Sequence, residues 1–396
     1  MVSVDEAVEI INSHTCRVQV EEVDLHEAVS RVLAEQVKAD RDFPPFNRVA
    51  MDGIALMARH ASNGHEHTIE GIQPAGVPAK TLNDPYNCIE VMTGAMLPDH
   101  TDTVVPYEDI EVTGDKAKLL RSEIKQGMNV HKQGQDARAG DVLLEPGQMI
   151  SSSEVALLAS VGKSKIKVYG YPATAVISSG DELVDITVNP EPHQIRQSNT
   201  YALRAAMSRI GWSSDAYYLV DNKEMIKETL KIICSDHDVL ILSGGVSKGK
   251  FDFVPDALEE LGFKKMFHRV SQRPGKPFWF GISDEGKTVF AFPGNPVSTF
   301  LCFHKYAGPW LLQSMGVKLK PSSAILKTDF KFDPELTCFL QVKVEIRHGK
   351  LLAEPVPGGG SGDFANLKNV DGFLELPLEK ADFREGEAYP YIPFRD

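Results

Sequence analysis

Apolar positions change their period along the chain, and each change marks a different kind of element. Near the N-terminus, Ala7, Val8, Ile10 and Ile11 follow Ser3 and Glu6, the spacing of a capping box ahead of an amphipathic helix. Ala28, Val32, Leu33 and Val37 fall near one face of a second helical pattern, predicting a helix over Glu27–Lys38. Asp42-Phe43-Pro44-Pro45-Phe46 breaks it. From there to about Asp141 the period is short and strand-like, with turns at Gly71, Gly76-Val77-Pro78, Asn83-Asp84-Pro85, Leu97-Pro98 and Gly114-Asp115. The stretch Ser153–Ser160 then predicts a helix that returns to pack on the first two, which makes the β-rich unit an insertion.

From Tyr171 to about Met315 strands alternate with helices: strands at 173–177, 215–220, 238–242 and 289–292, helices around 199–210, 222–235, 252–261 and 296–313. Alternation at these lengths predicts a doubly wound, mainly parallel sheet. The tail from Gly316 alternates at Phe330 and Phe332, Cys338 to Ile346 and Phe373 to Leu376, around a flexible loop Pro357–Gly362, as in a small β-barrel or sandwich. The expected division is a discontinuous helical linker domain (1–42 and 139–170), an inserted β-rich domain (43–138), the α/β domain (171–316) and a C-terminal domain (317–396).

The chemistry gathers where the apolar strands end. Val289–Phe292 stops at Pro293-Gly294-Asn295-Pro296, which leads into a helical pattern. Pro296 suits a first helical position and Gly294 permits close approach, so the turn resembles an anion seat. Ala173–Ile177 likewise runs into Ser178-Ser179-Gly180-Asp181-Glu182-Leu183, and Val239–Leu242 into Ser243-Gly244-Gly245-Val246-Ser247. In open α/β sheets ligands bind outside the carboxyl ends of the strands, so the three loops should share one crevice. Asp181, Glu182, Asp221 and Asp252 fall at or beyond strand ends, offering the oxygens that hard divalent cations require; helix capping is the alternative role. Arg269, Arg273 and Lys276 lie within eight positions around Pro274-Gly275, a turn that can aim two cations at one tetrahedral oxyanion.

Composition narrows the partners. The 396 residues exceed one ordinary core. The 42% hydrophobic and 24% charged content is that of a globular protein. Lys plus Arg number 42 against 55 Asp plus Glu, a formal net charge of −13, which disfavours nucleic acid and anionic membrane surfaces. An anionic substrate therefore needs a local basic cluster or a metal. Five scattered cysteines (Cys16, Cys88, Cys234, Cys302, Cys338) without C-x-x-C spacing suit reduced thiols in a cytoplasm. The N-terminus lacks the apolar run of a signal peptide, and no segment approaches the roughly 20 apolar residues that span a bilayer. His60, His65 and His67 lie in a polar stretch around Gly64 that reads as a solvated loop rather than a ligand set.

Seven motifs in order, Ala50-Met51-Asp52-Gly53, Met92-Thr93-Gly94-Ala95, Gly134-Gln135-Asp136, Ser179–Leu183, Ser243–Ser247, Pro274-Gly275-Lys276-Pro277 and Pro293–Ser298, resemble the molybdopterin molybdenumtransferase (MoeA/gephyrin) family over essentially the whole chain. The resemblance implies multidomain α/β architecture: a doubly wound molybdopterin-binding-type domain, helical linker, inserted β-rich domain and C-terminal β-barrel. It implies insertion of molybdate into adenylylated molybdopterin with Mg²⁺-dependent release of AMP, in a homodimer whose active site is shared between subunits. Asp52, Thr93, Asp136, Glu182 and Asp252 then match catalytic positions, and Asp181, Glu182, Asp221 and Asp252 the metal ligands. Ser179, Gly180, Asp181, Asp221, Ser243, Gly244, Gly245, Ser247 and Pro293, Gly294, Asn295, Pro296 match substrate contacts, and Arg273, Lys276, Ser298 and Ser361 molybdate contacts. Contact with a molybdopterin adenylyltransferase or with apo-molybdoenzymes is also implied. The chain departs from the pattern at Arg273, where many relatives carry Lys, and at His131, followed by Lys132, where relatives carry Arg. Adenylyl transfer or pyrophosphatase activity on the same α/β fold, and a non-enzymatic scaffold, are the competing readings.

Overall fold

The computed structural model describes residues 1–246 and 253–395. These form two compact units, one of residues 36–145 and 156–164, the other of residues 1–35, 146–155 and 165–396.

The larger unit is organised by a six-stranded sheet: β1 Thr174–Ser179, β2 Asp215–Leu219, β3 Val239–Ser243, β4 Phe263–Arg269, β5 Pro277–Ser283 and β6 Thr288–Phe292. Their order is β2-β1-β3-β6-β5-β4. The first four are parallel, while β5 and β4 add an antiparallel edge absent from the sequence expectation. Period-2 alternation divides the sheet between two apolar layers. Val176, Ile241, Phe290 and Phe292 face helices Asn199–Arg209 and Pro296–Cys302, whereas Ile177, Leu240, Leu242 and Ala291 face helices Lys223–Asp236 and Val254–Glu260. Strands buried on both faces read as continuous hydrophobic runs, which is why their positions were legible. After β1 the chain crosses to β2 on one side and returns to β3 on the other, so the order reverses between β1 and β3.

The C-terminal strands β7 Ser323–Leu326, β8 Thr337–Arg347, β9 Lys350–Pro355, β10 Gly372–Leu376 and β11 Ala388–Pro393 pair in the order β8-β9-β7-β11-β10. Pairing of β10 with β8 closes the ring, so a barrel rather than a sandwich forms around Leu326, Leu340, Val342, Leu374 and Leu376.

At the N-terminus helix Val4–Asn12 carries the expected box: Ser3 Oγ accepts from Glu6 N–H (3.1 Å) and Glu6 Oε2 from Ser3 N–H (2.7 Å). The helix expected over Glu27–Lys38 is absent. Ser30 takes a left-handed φ of 67°, and the backbone that follows pairs at long range, Leu33 N–H with Gln148 O and Tyr169 N–H with Val32 O. Ala28, Val32, Leu33 and Val37 are buried as the pattern required, but in an irregular and extended chain. The smaller unit is β-rich as expected, with six strands ordered Thr103–Pro106, Gly53–Leu56, Cys88–Val91, Glu66–Gln73, Lys116–Leu119 and Ile110–Thr113.

Candidate functional site

A cleft of about 950 Å³ opens at the reversal point, outside the carboxyl ends of β1, β3 and β6. Its walls contain Ser179, Gly180, Glu182, Asp221, Ser243, Gly244, Gly245, Pro293, Gly294, Asn295 and Pro296, together with Arg273, Lys276, Ser298 and Ser361. Three strand-end loops, the cationic turn and the barrel's glycine-rich loop thus meet in one place. Arg269 is not among the lining residues, because it lies within β4, before the turn that projects the other two cations. Asp252 and Ser247 lie outside the described residues.

Charge is segregated within the cleft. At the end of β1, Asp221 Oδ1 accepts from Ser179 Oγ–H (3.0 Å), Asp221 N–H donates to Asp181 Oδ1 (3.0 Å), and Asp181 N–H approaches Asp221 Oδ2 (3.4 Å). Asp181 and Asp221 therefore knit two strand-end loops together, and Asp181 does not line the cleft. Glu182 folds over Gly180, where a Cβ would come within 2.5 Å of Glu182 Oε2; only glycine leaves that carboxylate in place. Tyr218, whose hydroxyl donates to Gly180 O, registers this concentration of negative charge: burial first, then Asp181, Asp221 and Glu182, push its ionisation upward. Among the described residues no three His, Cys, Asp or Glu side chains form a ready metal cage. Mg²⁺ is commonly held by one or two carboxylates plus substrate phosphates, a donor set that Glu182 and Asp221 fit.

Across the cleft, Arg273 and Lys276 are exposed, and Arg273 Cζ stands 6.0 Å from the Phe332 ring centroid. Ser298 is buried in the first turn of helix Pro296–Cys302. The loop Pro357–Gly362 is pinned rather than flexible: Gly359 N–H donates to Asp363 Oδ2 (2.8 Å), Asn295 Nδ2 to Ser361 Oγ (2.8 Å) and Val297 N–H to Ser361 O (3.1 Å). Sequence reasoning missed Asn199. Its Nδ2 reaches Ser243 Oγ (2.7 Å), Gly294 O (2.8 Å) and Thr299 Oγ1 (3.3 Å), tying the ends of β3 and β6 to the start of helix Asn199–Arg209. An Asn at the start of the helix expected around 199–210 was the available signal.

Asp52, Thr93 and Asp136 belong to the smaller unit. Asp52 Oδ1 accepts from Thr93 N–H (2.5 Å) and Thr93 Oγ1–H (2.7 Å), and these bonds, backbone first, hold its carboxyl below the usual range. Asp136 Oδ1 contacts His131 Nε2 (2.8 Å), while His131 Nδ1 faces Arg48 Nη2 (3.0 Å). A guanidinium only donates, so Nδ1 accepts and the proton resides on Nε2. His131 thereby links Arg48 to Asp136. The histidine stretch also departs from expectation. His67 is buried in strand Glu66–Gln73, its Nδ1 2.6 Å from Tyr86 O, because period-2 alternation turns that position inward. Desolvation lowers its pKa, helped by His65 and His60.

Comparison with known proteins places all of this in one family. Residues 2–162 match the "MoeA N-terminal region (domain I and II)", 175–313 the "Probable molybdopterin binding domain" and 323–394 the "MoeA C-terminal region (domain IV)". The molybdopterin molybdenumtransferase of Synechocystis sp. is 41% identical over 99% of both chains, and that of Bacillus subtilis 30% identical over 100% of this chain and 94% of its own. The solved structure of the molybdopterin biosynthesis moeA protein from Pyrococcus horikoshii OT3 covers 100% of both chains with a TM-score of 0.86 at 27% identity. The chain belongs to the molybdopterin molybdenumtransferase (MoeA) family.

Proposed function

We propose that this protein is a molybdopterin molybdenumtransferase: it inserts molybdate into adenylylated molybdopterin and releases AMP, completing the molybdenum cofactor. The observation that carries the reading is the cleft itself, in which glycine and hydroxyl loops, two carboxylates and two cations surround one space of about 950 Å³. Each part has a task. Backbone N–H groups of Gly245 and of the turn at Gly294-Asn295 offer donors to the substrate phosphates, while Gly244 N–H is taken by Phe292 O. Arg273 and Lys276, with the hydroxyls of Ser298 and Ser361, hold the molybdate dianion. Glu182 and Asp221 would hold Mg²⁺, which supplies charge neutralisation at the phosphoanhydride when bound. Asp181 acts through its bond to Asp221 rather than as a direct ligand.

The rest of the reading extends from the family. The protein acts in the cytoplasm as a homodimer, and Asp52, Thr93 and Asp136 of one subunit complete the partner's cleft. The working division keeps a linker domain (1–42 and 139–170), an insert (43–138), the α/β domain (171–316) and the barrel (317–396). Hand-off contacts with a molybdopterin adenylyltransferase and with apo-molybdoenzymes follow from the lability expected of such a substrate.

The test is incubation with adenylylated molybdopterin, Mg²⁺ and molybdate, following AMP release and transfer of cofactor to an apo-molybdoenzyme. Molybdate-dependent AMP release that Glu182→Ala abolishes in a folded protein is expected. AMP release indifferent to molybdate would instead identify a pyrophosphatase and sink the proposal.

A further inference from the structure

The turn that carries Arg273 and Lys276 is built around a buried amide. Gln272 has no exposed surface, and its Nε2 donates to two successive carbonyls, Pro274 O (3.1 Å) and Gly275 O (3.3 Å), with Cys302 Sγ at 3.6 Å. Its Oε1 accepts from the hydroxyl of Tyr306, itself 2% exposed. Burial, then Cys302, Glu375 and Asp5, push the ionisation of Tyr306 far upward, so its hydroxyl keeps its proton. The carbonyls of Pro274 and Gly275 only accept, so the NH₂ end of the amide must face the turn and the oxygen end Tyr306.

The turn has little freedom left. Gly275 sits at φ +89°, and a Cβ there would lie 2.6 Å from Gln272 Nε2 and 2.9 Å from Cys302 Sγ. Val270 N–H donates to Lys276 O (3.1 Å) and closes the base of the loop. Gln272 and Arg273 also pair in parallel with Thr337 and Cys338 at the start of β8. Tyr306 lies in the π-helical turn Phe303–Ala307, on the same helical run that begins at Pro296 in the cleft. Extra-residue turns of this kind recur where a helix must re-aim a side chain at a functional site.

We infer that Gln272 and Tyr306 form a clamp that fixes the separation and direction of Arg273 and Lys276, and so sets the cleft's affinity for its tetrahedral oxyanion. Both are positioning residues: Tyr306 is not among the cleft's lining residues, and Gln272, which borders the cleft, has no exposed surface. The inference rests on the transferase reading for the identity of the oxyanion, but the clamp itself does not.

The experiment uses two near-isosteric variants of the full-length protein. Tyr306→Phe deletes one oxygen and leaves Gln272 Oε1 without its donor, which loosens the amide's hold on the turn. Gln272→Glu keeps an acceptor for Tyr306; when ionised it has no donor for Pro274 O and Gly275 O, and when protonated its hydroxyl restores one such bond. The groups facing this position are Tyr306 and Cys302, with Arg273 and Lys276 on the turn and the Lys305–Glu375 pair and Asp5 further along. Burial raises a carboxyl pKa, so the variant should titrate near neutrality.

For Tyr306→Phe the molybdate half-saturation should rise roughly tenfold, while binding of adenylylated molybdopterin changes by less than about twofold. In Gln272→Glu the molybdate half-saturation should rise with pH between about 5.5 and 8 more steeply than in wild type. Hydrogen exchange at the amides of Arg273, Gly275 and Lys276 should quicken in Tyr306→Phe without any substrate present. Unchanged exchange together with unchanged molybdate dependence would overturn the clamp, as would equal weakening of both substrates, which marks general packing. If wild type shows no molybdate dependence at all, the transferase reading fails, and the exchange result alone decides the clamp.

Discussion

Removing the Asn199 amide is the perturbation whose consequences the geometry constrains most tightly. An NH₂ group has two hydrogens, so of its three contacts the two short ones, to Ser243 Oγ (2.7 Å) and Gly294 O (2.8 Å), are full bonds and the 3.3 Å approach to Thr299 Oγ1 is shared. Two neutral bonds are worth about 1 kcal/mol each, and a buried group left without a partner costs about 1–3 kcal/mol more. The second penalty is small here. Ser243 Oγ keeps Thr299 Oγ1 at 3.2 Å, and Gly294 is exposed, so its carbonyl can be hydrated. Asn199→Ala should therefore cost about 2 kcal/mol, which for a module of this size lowers the melting temperature by roughly 4–8 °C. Activity should suffer more than stability. Two ligand-bearing loops lose their common anchor, and misplacement near 1 Å can cost on the order of a hundredfold in rate. Asn199→Asp separates the two effects, because it keeps the shape but sets a carboxylate against Gly294 O and against incoming phosphate. Its AMP release should fall below that of Asn199→Ala at similar thermal stability. Calorimetry and single-turnover AMP release measure both quantities. An Asn199→Asp protein as active as wild type would refute the assignment of Asn199 to the cleft.

Arg273→Ala should raise the molybdate requirement roughly tenfold or more, since a charge-assisted bond is worth about 1.5–3 kcal/mol and about 1.4 kcal/mol is one decade; Arg273→Lys should keep most of the function. Loss of pterin binding with unchanged molybdate dependence in Arg273→Ala would reassign the cation to the organic substrate. Mixing Asp52→Ala and Glu182→Ala chains should restore one working site per heterodimer, and no recovery in heterodimers verified by mass would count against a shared site. For Glu70, burial opposes ionisation, but the N–H groups of Asn83 and Asp84 and the amides of Asn87 and Asn83 outweigh it and hold the carboxyl down to about 2. Its folded pKa is depressed, so its stabilisation is present above the ordinary value of about 4.5 and is lost as pH falls toward 2. Glu70→Gln should lower the melting temperature at pH 7 and flatten its decline between those limits; an unaltered acid limb would contradict the assigned hub.

The α/β module was legible because its signals are local. Double-sided burial gives strands such as Val239–Ser243 and Thr288–Phe292 unbroken apolar runs, and glycine, hydroxyl and carboxylate groups cluster where those runs stop. The strand ends then define the cleft, and fifteen of the residues read as site residues line it. What escaped depends on distance in sequence. Asn199 acts on partners 44 to 100 positions away, and Tyr306 on one 34 away. Nothing in the spacing of either residue announces its partner. The false helix at Glu27–Lys38 has the same origin. Buried positions at i, i+4, i+5 and i+9 satisfy a helical period, yet long-range pairing with residues 148 and 169 satisfies the backbone differently.

Arg273 and His131 are each met by a neighbour that uses the side chain's geometry. At Arg273 the planar guanidinium lies over Phe332, a contact for which a compact ammonium is a poorer substitute. At His131 the ring accepts from Arg48 and donates to Asp136 at once. Arginine or lysine at that position could only donate, and Arg48 would then face a second cation instead of an acceptor. His131→Arg should consequently displace Arg48 and weaken its hold on the Asp136 segment. His131→Gln offers the direct check, since an amide can accept from Arg48 and donate to Asp136 as the imidazole does. Activity retained in His131→Gln and lost in His131→Arg is the expected pair of results. The reverse order would show that charge at position 131, rather than the relay through it, is what the protein requires.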